Sequence, residues 1–482
     1  MSSMNSKTKI VCTIGPATSA YATLQELVGA GMSVARLNFS HGSHDEHLAV
    51  IESIKRLRNE TGVNIGILQD LSGPKIRVGD LPDEGIDLAT GAELMLKSGD
   101  RFEAENGRPI VPINHTALTD DVPPGGRILL DDGIIALEVV ENSGKVLRCR
   151  VTHGGVLQRH KGVNFPGLVL SREVPTSKDL DDLAFGLRHG VDFVAQSFVQ
   201  SAEEILRLRE VIDREQSPVG VVAKLERSNA LDNVDGILKV SDGAMIARGD
   251  LGLEAELSMI PIYQKLIVRK CNLLGMLVIT ATQMLDSMIR QPIPTRAEVT
   301  DVANAIYDGS DAIMLSGETS IGAFPIESVK MMRKIADNVE QNLGLDRGWI
   351  RQETDDLKYS HEMAVSASVC QAAHKLNAKL IVAYTISGKT ARTIAMYRPS
   401  TPIVALTPLA STHHQLSLVW GIRSILLPDG EDQFLRSVKQ GESALKQHGL
   451  AIDGDVVVVS AGIPAGHSGG TNLMKIHVVG EG

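Results

Sequence analysis

Short apolar runs that end in polar or charged residues recur along the chain, and amphipathic segments with a helical period separate most of them. A run of four to eight residues rich in branched side chains is typical of a strand buried on both faces. Strands that alternate with helices pair in parallel, and eight of them close into a barrel. The sequence therefore predicts a (β/α)8 barrel of the TIM type, with strands at 9–15, 33–40, 64–70, 192–198, 220–226, 243–250, 277–283 and 312–318.

The fifth and sixth runs carry charges at their ends. Because side chains alternate along a strand, we expect Lys224 and Glu226 on one face, and Arg248 and Asp250 on one face of the next strand. Two carboxylates with a lysine and an arginine suit a hard divalent cation that holds an anionic substrate. For one such run taken alone, a structural ion pair and a helix-capping aspartate would be the better explanation.

Polar residues also occur at other strand ends, which favours a ligand-binding site over structural ion pairs. Arg36, Asn38 and Ser40 share one face of the second strand and need a ligand or water to satisfy them, and the third strand ends in Asp70. The carboxyl ends of barrel strands form one face of the molecule, which is where active sites of this architecture lie. We therefore expect these polar residues to converge there.

The segment 41–47 contains three histidines and two acidic residues, but its pattern favours a helix start over a metal site. Ser43 followed by Glu46 predicts a capping box for a helix that runs to about Asn59. His41, next to the strand end, is the one histidine that we expect in the active site.

Two further helix starts have clear signals. Ser177 is the expected N-cap of a helix over 178–189. Thr295 and Glu298 predict another capping box, before a helix that ends at about Tyr307.

Two regions depart from the alternation of strands and helices. Residues 71–170 are rich in Gly, Pro and short alternating segments, which predicts an inserted all-β domain, either a small barrel or a sandwich. After residue 344 the chain turns polar and then predicts a smaller, open α/β sheet. The expected domains are a barrel (1–70 and 171–344), the insertion (71–170) and a C-terminal α/β domain (345–482).

The C-terminal domain contains a candidate anion site at 385–390. Thr385, Ser387, Gly388, Lys389 and Thr390 join a strand to a helix and resemble the end of a phosphate-binding loop, although the first glycine of that motif is missing. Hydroxyls, an ammonium and a helix N-terminus suit a phosphate. A plain N-cap by Ser387 or Thr390 is the alternative. The Gly-rich segment 461–471 is either a second such loop or an ordinary turn.

Composition narrows the class of protein. The chain has 482 residues, a formal charge of −10 and only 3% aromatic residues, which argues against a nucleic-acid surface. Its four cysteines are far apart in sequence, as expected for reduced thiols of a cytoplasmic protein. The first residues lack the apolar core of a signal peptide, and no apolar stretch approaches ~20 residues, so no membrane span is expected.

Several motifs in the same order resemble pyruvate kinases of the bacterial type over nearly the whole chain. They are RLNFSHG (36–42), GPKIR (73–77), KLE (224–226), ARGDLG (247–252), ATQML (281–285) and LSGET (315–319). The resemblance implies that phosphoenolpyruvate and ADP give pyruvate and ATP. It also implies that the insertion is a lid, that the C-terminal domain is regulatory, and that the protein is usually a homotetramer. We expect the loop at 385–390 to bind a phosphorylated effector that activates the enzyme.

The resemblance also implies roles for individual residues. Glu226 and Asp250 would hold Mg2+ or Mn2+, and Lys224 would stabilise the transferring phosphoryl group and the enolate. Substrate would contact Arg36, Gly249, Asp250 and Thr282. Nucleotide would contact Asn38, His41, Arg77, Lys161 and Lys178, with Arg36 and Arg77 on phosphates. Thr282 with a chain of waters is our candidate for protonating the enolate, although a hydroxyl alone is a poor acid.

Two other functions fit the same fold. A metal-dependent lyase or aldolase acting on pyruvate would need the carboxylates and an arginine but no ADP contacts. A non-catalytic sugar-phosphate sensor is the second alternative, and the intact Lys224, Glu226, Asp250 and Arg77 count against it.

One segment departs from the commonest pattern of the family. Many pyruvate kinases bind K+ at positions that match Asn38, Ser40, Asp70 and the backbone oxygen of Leu71, with Glu at the position of Lys75 and Thr-Lys in place of Leu71-Ser72. A unit charge ~4 Å away is worth about 4 kcal/mol at an effective dielectric of ~20, enough to disfavour a second cation. We therefore expect Lys75 to replace K+. The alternative is that Lys75 points to solvent and K+ binds as usual.

Overall fold

The computed structural model describes residues 7–105, 108–171, 173–342, 360–427, 434–462 and 470–481. The chain begins with three parallel strands, β1 (Lys9–Ile14), β2 (Val34–Asn38) and β3 (Gly66–Asp70), alternating with α1 (Tyr21–Ala30) and α2 (His44–Thr61). The predicted capping box is confirmed, since Ser43 accepts from the N–H of Glu46 and donates its own N–H to the Glu46 carboxylate.

The insertion is a β domain with its own hydrophobic core. Seven of its strands form a curled sheet in the order β12-β8-β9-β10-β5-β7-β6, and β4 pairs with β11. Leu94, Leu137 and Phe165 are fully buried in its core. Its elements are β4 (Ile86–Leu88), β5 (Glu93–Ser98), β6 (Glu103–Glu105), β7 (Arg108–Ile113), α3 (Leu118–Asp121), β8 (Arg127–Leu130), β9 (Ile135–Asn142), β10 (Leu147–His153), β11 (Gly155–Leu157) and β12 (Val163–Asn164).

The chain then returns to the barrel. The strands β1-β17-β16-β15-β14-β13-β3-β2 close into a ring, which confirms the predicted (β/α)8 architecture. The remaining barrel elements are α4 (Ser177–Arg188), β13 (Phe193–Gln196), α5 (Ala202–Arg214), β14 (Gly220–Leu225), α6 (Ser228–Asp232), α7 (Val234–Lys239), β15 (Gly243–Ala247), α8 (Arg248–Glu254), α9 (Ile260–Leu274), β16 (Leu277–Ala281), α10 (Arg296–Asp308), β17 (Ala312–Leu315), α11 (Gly317–Ser320) and α12 (Pro325–Asn342).

Two local predictions in the barrel are wrong. The N-cap of α4 is Thr176, since its backbone is extended and its hydroxyl accepts from the N–H of Asp179, while Ser177 is already helical. Arg248 and Asp250 do not continue a strand, because the chain enters α8 at Arg248. The box of Thr295 and Glu298 before α10 is confirmed.

The C-terminal domain is an open α/β sheet, as predicted. Its strand order is β20-β19-β18-β21-β22, and only β22 runs antiparallel to its neighbour. The sequence predicts strands at 379–385, 403–406 and 455–460, which correspond to β18, β19 and β21, but it predicts neither β20 nor β22. The polar stretch at 345–359 lies outside the described residues. The elements are α13 (His361–Lys375), β18 (Leu380–Tyr384), α14 (Lys389–Met396), β19 (Ile403–Thr407), α15 (Ala410–Gln415), β20 (Ile422–Leu426), α16 (Phe434–Gln447), β21 (Val456–Ala461) and β22 (Leu473–Val478).

The C-terminal domain packs on the amino ends of the barrel strands. Arg398 pairs with Asp311, just before β17, at 2.8 Å. The ring of His414 lies 3.0 Å from the amide oxygen of Asn64, just before β3, and Arg58 is close enough to perturb that ring. This interface therefore lies on the opposite side of the barrel from the carboxyl ends of the strands. Within the described ranges, no helix has the length and apolar character needed to cross a membrane.

Candidate active site

Lys224 is the centre of a buried ionic cluster at the carboxyl end of β14. Its side chain is only 10% exposed, and its ammonium lies 2.9 Å from a carboxylate oxygen of Glu226 and 3.1 Å from one of Asp70. It also donates to the hydroxyl of Ser197 at 2.7 Å. Burial lowers the pKa of Lys224, but the two carboxylates outweigh it and raise that pKa above its ordinary value. The lysine is therefore held as a cation.

Arg36 completes the cluster from β2. Its Nε donates to the second carboxylate oxygen of Asp70 at 2.6 Å, and its Nη1 donates to the hydroxyl of Thr13 at 2.9 Å. Burial raises the pKa of Asp70, but the charges of Arg36 and Lys224 outweigh it, and the pKa is below its ordinary value. Asp70 therefore fixes two cations whose charges face the same end of the barrel.

Glu226 is buried close to other carboxylates. One carboxylate oxygen is bound by Lys224, and the other accepts the N–H of Phe198 at 2.8 Å. Burial raises the pKa of Glu226, and the nearby carboxylates of Asp250 and Asp70 raise it further against the effect of Lys224. A divalent cation between Glu226 and Asp250 would relieve this repulsion, and both residues offer the hard oxygen ligands that Mg2+ and Mn2+ prefer. The residues therefore fit the implied metal.

Gly249 and Thr282 meet next to this carboxylate pair. The N–H of Gly249 donates to the Thr282 hydroxyl at 2.7 Å, and that hydroxyl donates to the backbone oxygen of Ala281. Thr282 has a φ of +70°, a left-handed conformation that is uncommon for a β-branched residue. The two groups predicted to bind substrate are thus brought together by a strained turn after β16.

Arg248 supports this turn and does not face the cation site. Its guanidinium pairs with Asp301 at 2.6 Å and donates to the backbone oxygen of Thr282 at 2.9 Å. The expected common face of Arg248 and Asp250 is therefore wrong, because both lie on α8.

Several cationic side chains surround His41. Burial lowers the pKa of His41, and the charges of Lys75, Arg77 and Arg36 lower it further, so cations from separate segments act on the same imidazole. Arg77 donates to the backbone oxygen of His160 at 2.8 Å. This cluster combines an exposed imidazole with three cations, which suits a polyphosphate.

Two other predicted nucleotide residues are already paired. Lys178 donates to the backbone oxygen of Phe39 at 2.9 Å and to Asp182 at 2.5 Å. Lys161 pairs with Asp131 at 2.9 Å inside the inserted domain. Lys161 lies on the lid beside Arg77, since Arg77 bonds the backbone oxygen of His160 and pairs with Gly162.

The residues of the expected K+-like site are mostly satisfied by the protein. The amide oxygen of Asn38 accepts the N–H of Ser40 at 3.2 Å, and the backbone oxygen of Leu71 accepts the Ser197 hydroxyl at 2.7 Å. Lys75 is exposed, and its ammonium makes no hydrogen bond or ion pair with any residue in the described ranges. The structure does not place Lys75 against Asp70 in this conformation.

Comparison with known proteins adds to this geometry. The sequence model of the pyruvate kinase barrel domain matches residues 5–329, and that of the pyruvate kinase alpha/beta domain matches residues 363–477. The chain belongs to the pyruvate kinase family. It is 44% identical to a pyruvate kinase of Geobacillus stearothermophilus, covering 99% of this chain and 81% of that one. It is 43% identical to a pyruvate kinase of Staphylococcus aureus strain MRSA252, covering 98% and 81%.

A solved pyruvate kinase structure supports the same assignment. The crystal structure of the enzyme from Cryptosporidium parvum superposes with a TM-score of 0.93 at 34% identity, over 98% of this chain and 96% of that one. Membership of the pyruvate kinase family makes the chain a phosphotransferase that acts on phosphoenolpyruvate and ADP, and the family generally needs Mg2+ or Mn2+.

The alternative explanations of two motifs can now be settled. In 41–47, the ring of His47 donates to the backbone oxygen of His41, and His44 pairs with Asp182. No cluster of three metal-ligating side chains occurs among the described residues. In the C-terminal loop the N-cap of α14 is Gly388, with a φ of +79° and no side-chain cap, so an N-cap by Ser387 or Thr390 is wrong.

The remaining groups of that loop are partly engaged. Lys389 lies 3.3 Å from the Glu362 carboxylate, and Thr390 shares a hydrogen bond of 2.9 Å with Thr471. Residues 463–469 of the second Gly-rich segment lie outside the described residues.

Sequence reasoning missed three residues that organise the pyruvate kinase site. Ser197 and Phe198 follow β13 and bind Lys224 and Glu226, and the buried Asp179 binds Gly73 at the start of the insertion. Ser197 and Phe198 lie in a predicted strand run, where polar residues at the carboxyl end were the available signal. Nothing in the sequence around Asp179 distinguishes it from an ordinary capping residue.

Proposed function

We propose that this member of the pyruvate kinase family transfers the phosphoryl group at the carboxyl ends of β2, β3, β14, β15 and β16, with Lys224 as its central cation. The observation that carries this proposal is the buried Lys224, held by Asp70, Glu226 and Ser197 and next to the guanidinium of Arg36. Phosphoryl transfer needs positioned charge more than covalent chemistry from the protein. Two preorganised cations in a buried site meet that need.

Different residues of the chain bind different groups of the substrate. Arg36 and Lys224 bind the phosphoryl oxygens, and Lys224 also stabilises the negative charge that develops on the enolate oxygen. The N–H of Gly249 and the hydroxyl of Thr282 bind the carboxylate of phosphoenolpyruvate, exchanging their mutual hydrogen bond for bonds to substrate. When bound at Glu226 and Asp250, Mg2+ or Mn2+ supplies Lewis-acid charge neutralisation. Thr282 with water remains our candidate for delivering the proton to the enolate.

ADP lies between the barrel and the inserted lid (residues 71–170) in this proposal. His41 and Arg77 are already near each other, and Asn38 and Lys178 line the barrel side. Lys161 would have to leave Asp131 for the nucleotide, which favours a lid that moves toward the barrel when ADP binds.

We further propose that Lys75 serves the K+-like site formed by Asn38, Ser40, Asp70 and the oxygen of Leu71. Lys75 is exposed here but close enough to lower the pKa of His41, and it sits at the start of the lid. Closure of the lid would bring its ammonium toward Asp70. In this proposal, Lys75 replaces K+ at the site only when the lid is closed.

The C-terminal loop suits a phosphorylated activator in our proposal. Because no side chain in the described part of the chain caps α14, the N–H groups of its first turn could bind an anion. Thr385, Ser387, Gly388, Lys389 and Thr390 would supply hydroxyls and charge. The domain packs on the side of the barrel away from the active site. Activation would therefore have to act through the barrel. We also propose a homotetramer in the cytoplasm.

The decisive experiment follows pyruvate by a coupled dehydrogenase assay. We expect pyruvate from phosphoenolpyruvate only when ADP and Mg2+ are both present, with one ATP formed for each pyruvate. A lyase would form pyruvate without ADP, and a sensor would bind ligands without forming pyruvate. Either result would refute the proposal.

A further inference from the structure

The two connections between lid and barrel meet at one buried carboxylate. Asp179, in the first turn of α4, has no exposed surface. One of its oxygens accepts the N–H of Gly73 at 2.9 Å, and the other accepts the N–H of Thr176 at 2.9 Å. Gly73 lies on the way into the lid and Thr176 on the way out, so a single side chain binds both connections.

The first connection is short and fixed at both ends. On the barrel side, the N–H of Leu71 donates to the oxygen of Ala195 at 3.0 Å. On the lid side, the oxygen of Ile76 accepts the N–H of Val163 at 3.0 Å. Only residues 72–75 lie between these two attachments, and Asp179 holds their second member. The lid must therefore turn close to this point.

Gly73 is shaped for this contact. Its φ is +63°, and a Cβ there would lie 2.9 Å from both the ring of Phe198 and the Cβ of Ser197. The connection thus packs directly on the two residues that bind Lys224 and Glu226. A displacement of Gly73 would disturb the lid and the groups behind the ionic cluster together.

The second connection ends at the same helix. Ser171, just after the lid, is bound to the lid residue Asp121 by two hydrogen bonds of 2.8 and 2.7 Å. At the barrel end of this connection, the N–H of Thr176 binds Asp179 and its hydroxyl caps α4. Because both connections are bonded to Asp179, we expect the lid to rotate about an axis that passes near this residue.

We propose that Asp179 is a positioning residue that holds both lid connections and so sets how the lid approaches the nucleotide; this inference rests on the proposed function. Its neighbour Lys178 is one of the proposed nucleotide contacts, and Lys75 and Arg77 lie just beyond Gly73. Asp179 itself touches no substrate in this proposal. Its role predicts an effect on ADP use and on turnover, and none on the binding of phosphoenolpyruvate to the open enzyme.

The test is Asp179→Asn. The single remaining oxygen can accept from one connection only, so the amide group of the asparagine faces an N–H at the other. Failing to satisfy one buried N–H corresponds to about a 10- to 100-fold change in an equilibrium. We expect kcat to fall and the KM for ADP to rise within that range, while Mn2+-dependent binding of phosphoenolpyruvate without nucleotide, measured by calorimetry, stays within about twofold.

Thr176→Ala is the matched control. It removes the hydroxyl that caps α4 but keeps both N–H donors to Asp179. It should lower the melting temperature without changing the KM for ADP. If Asp179→Asn changes stability as Thr176→Ala does and leaves the KM for ADP and kcat unchanged, Asp179 is only a capping residue and the inference is wrong.

A distance measurement separates this inference from the proposed function. Spin labels at the exposed positions Glu105 of the lid and Asn59 of α2, each replaced by cysteine, report lid orientation without any turnover. We expect Asp179→Asn to broaden the distance distribution and Thr176→Ala to leave it narrow. Equal distributions would overturn the inference. If the unmodified enzyme formed no pyruvate, the proposed function would be refuted. The measured distances would still decide the role of Asp179.

Discussion

Replacing Glu226 by glutamine tests the proposed metal site with the smallest change in shape. The carboxylate binds the Lys224 ammonium at 2.9 Å through one oxygen and the Phe198 N–H at 2.8 Å through the other. An amide has one oxygen, so its NH2 group must face one of these two donors. The substitution therefore removes a charge and also creates a donor–donor contact.

The size of the effect follows from charge. A unit negative charge acting on a divalent cation at ~4 Å is worth about 8 kcal/mol at an effective dielectric of ~20. Water that takes the place of the lost oxygen recovers part of this, while the misplaced NH2 group adds about 1–3 kcal/mol. We expect a net loss of at least about 3 kcal/mol, which is roughly a hundredfold weaker metal binding. Turnover should fall by orders of magnitude, because the ion would also be misplaced when it is bound.

The assay is Mn2+ binding by electron paramagnetic resonance, together with the Mg2+ dependence of pyruvate formation. Asp250→Asn should give a similar loss. Glu318→Gln is the matched control, since Glu318 is also a buried glutamate at the carboxyl end of a barrel strand and accepts the N–H groups of Leu285 and Ser316. If Glu226→Gln and Asp250→Asn both bind Mn2+ and turn over like the unmodified enzyme, these residues do not hold the metal.

Three further predictions concern other parts of the chain. We expect full activity in a buffer with only an organic counter-cation, and K+ dependence after Lys75→Glu; an enzyme that is inactive until K+ is added would contradict the role of Lys75. Lys389→Ala combined with Ser387→Ala should abolish activation by phosphorylated metabolites at unchanged maximal turnover, and normal activation of this double variant would rule out the loop. Burial and a neighbouring guanidinium lower the pKa of His413 to about 4 and that of His414 to about 3, where the charge of His413 adds to the effect. Because these folded-state pKa values are depressed below about 6.5, the unfolded chain binds more protons between about pH 6.5 and 4, and stability should fall with falling pH by up to about 1.4 kcal/mol per pH unit for each histidine. Urea unfolding at pH 7.5 and 5 measures this, and a slope unchanged by His413→Gln with His414→Gln would contradict it.

The barrel could be predicted from the sequence because each of its strands has a recognisable local pattern. A strand buried on both faces must be apolar and short, so each of the eight runs carries its own signal, and closure follows from their number. Strands β20 and β22 lack that signal. β20 (IRSIL) and β22 (LMKIHV) lie at the two edges of the C-terminal sheet, where partial exposure admits polar residues at irregular positions.

The site could be predicted in part. The residues at strand ends, such as Lys224 and Glu226, can be recognised in the sequence because they are charges next to apolar runs. The path of Arg248 could not be foreseen, since the change from β15 to α8 at that residue depends on its tertiary partners Asp301 and Thr282. The role of Asp179 was equally hidden, because its partner Gly73 is more than a hundred residues away in sequence.

The most direct test of the central claim is the rate of phosphoryl transfer in Lys224→Met. Rapid-quench measurement of a single turnover should show transfer at least about a thousandfold slower, since the variant loses the charge that faces the transferring group. Phosphoenolpyruvate should still bind through Gly249 and Thr282, and urea unfolding should establish that the variant is folded. Transfer at a rate close to that of the unmodified enzyme would contradict the account, because the cation at the centre of the cluster would then have no part in the reaction.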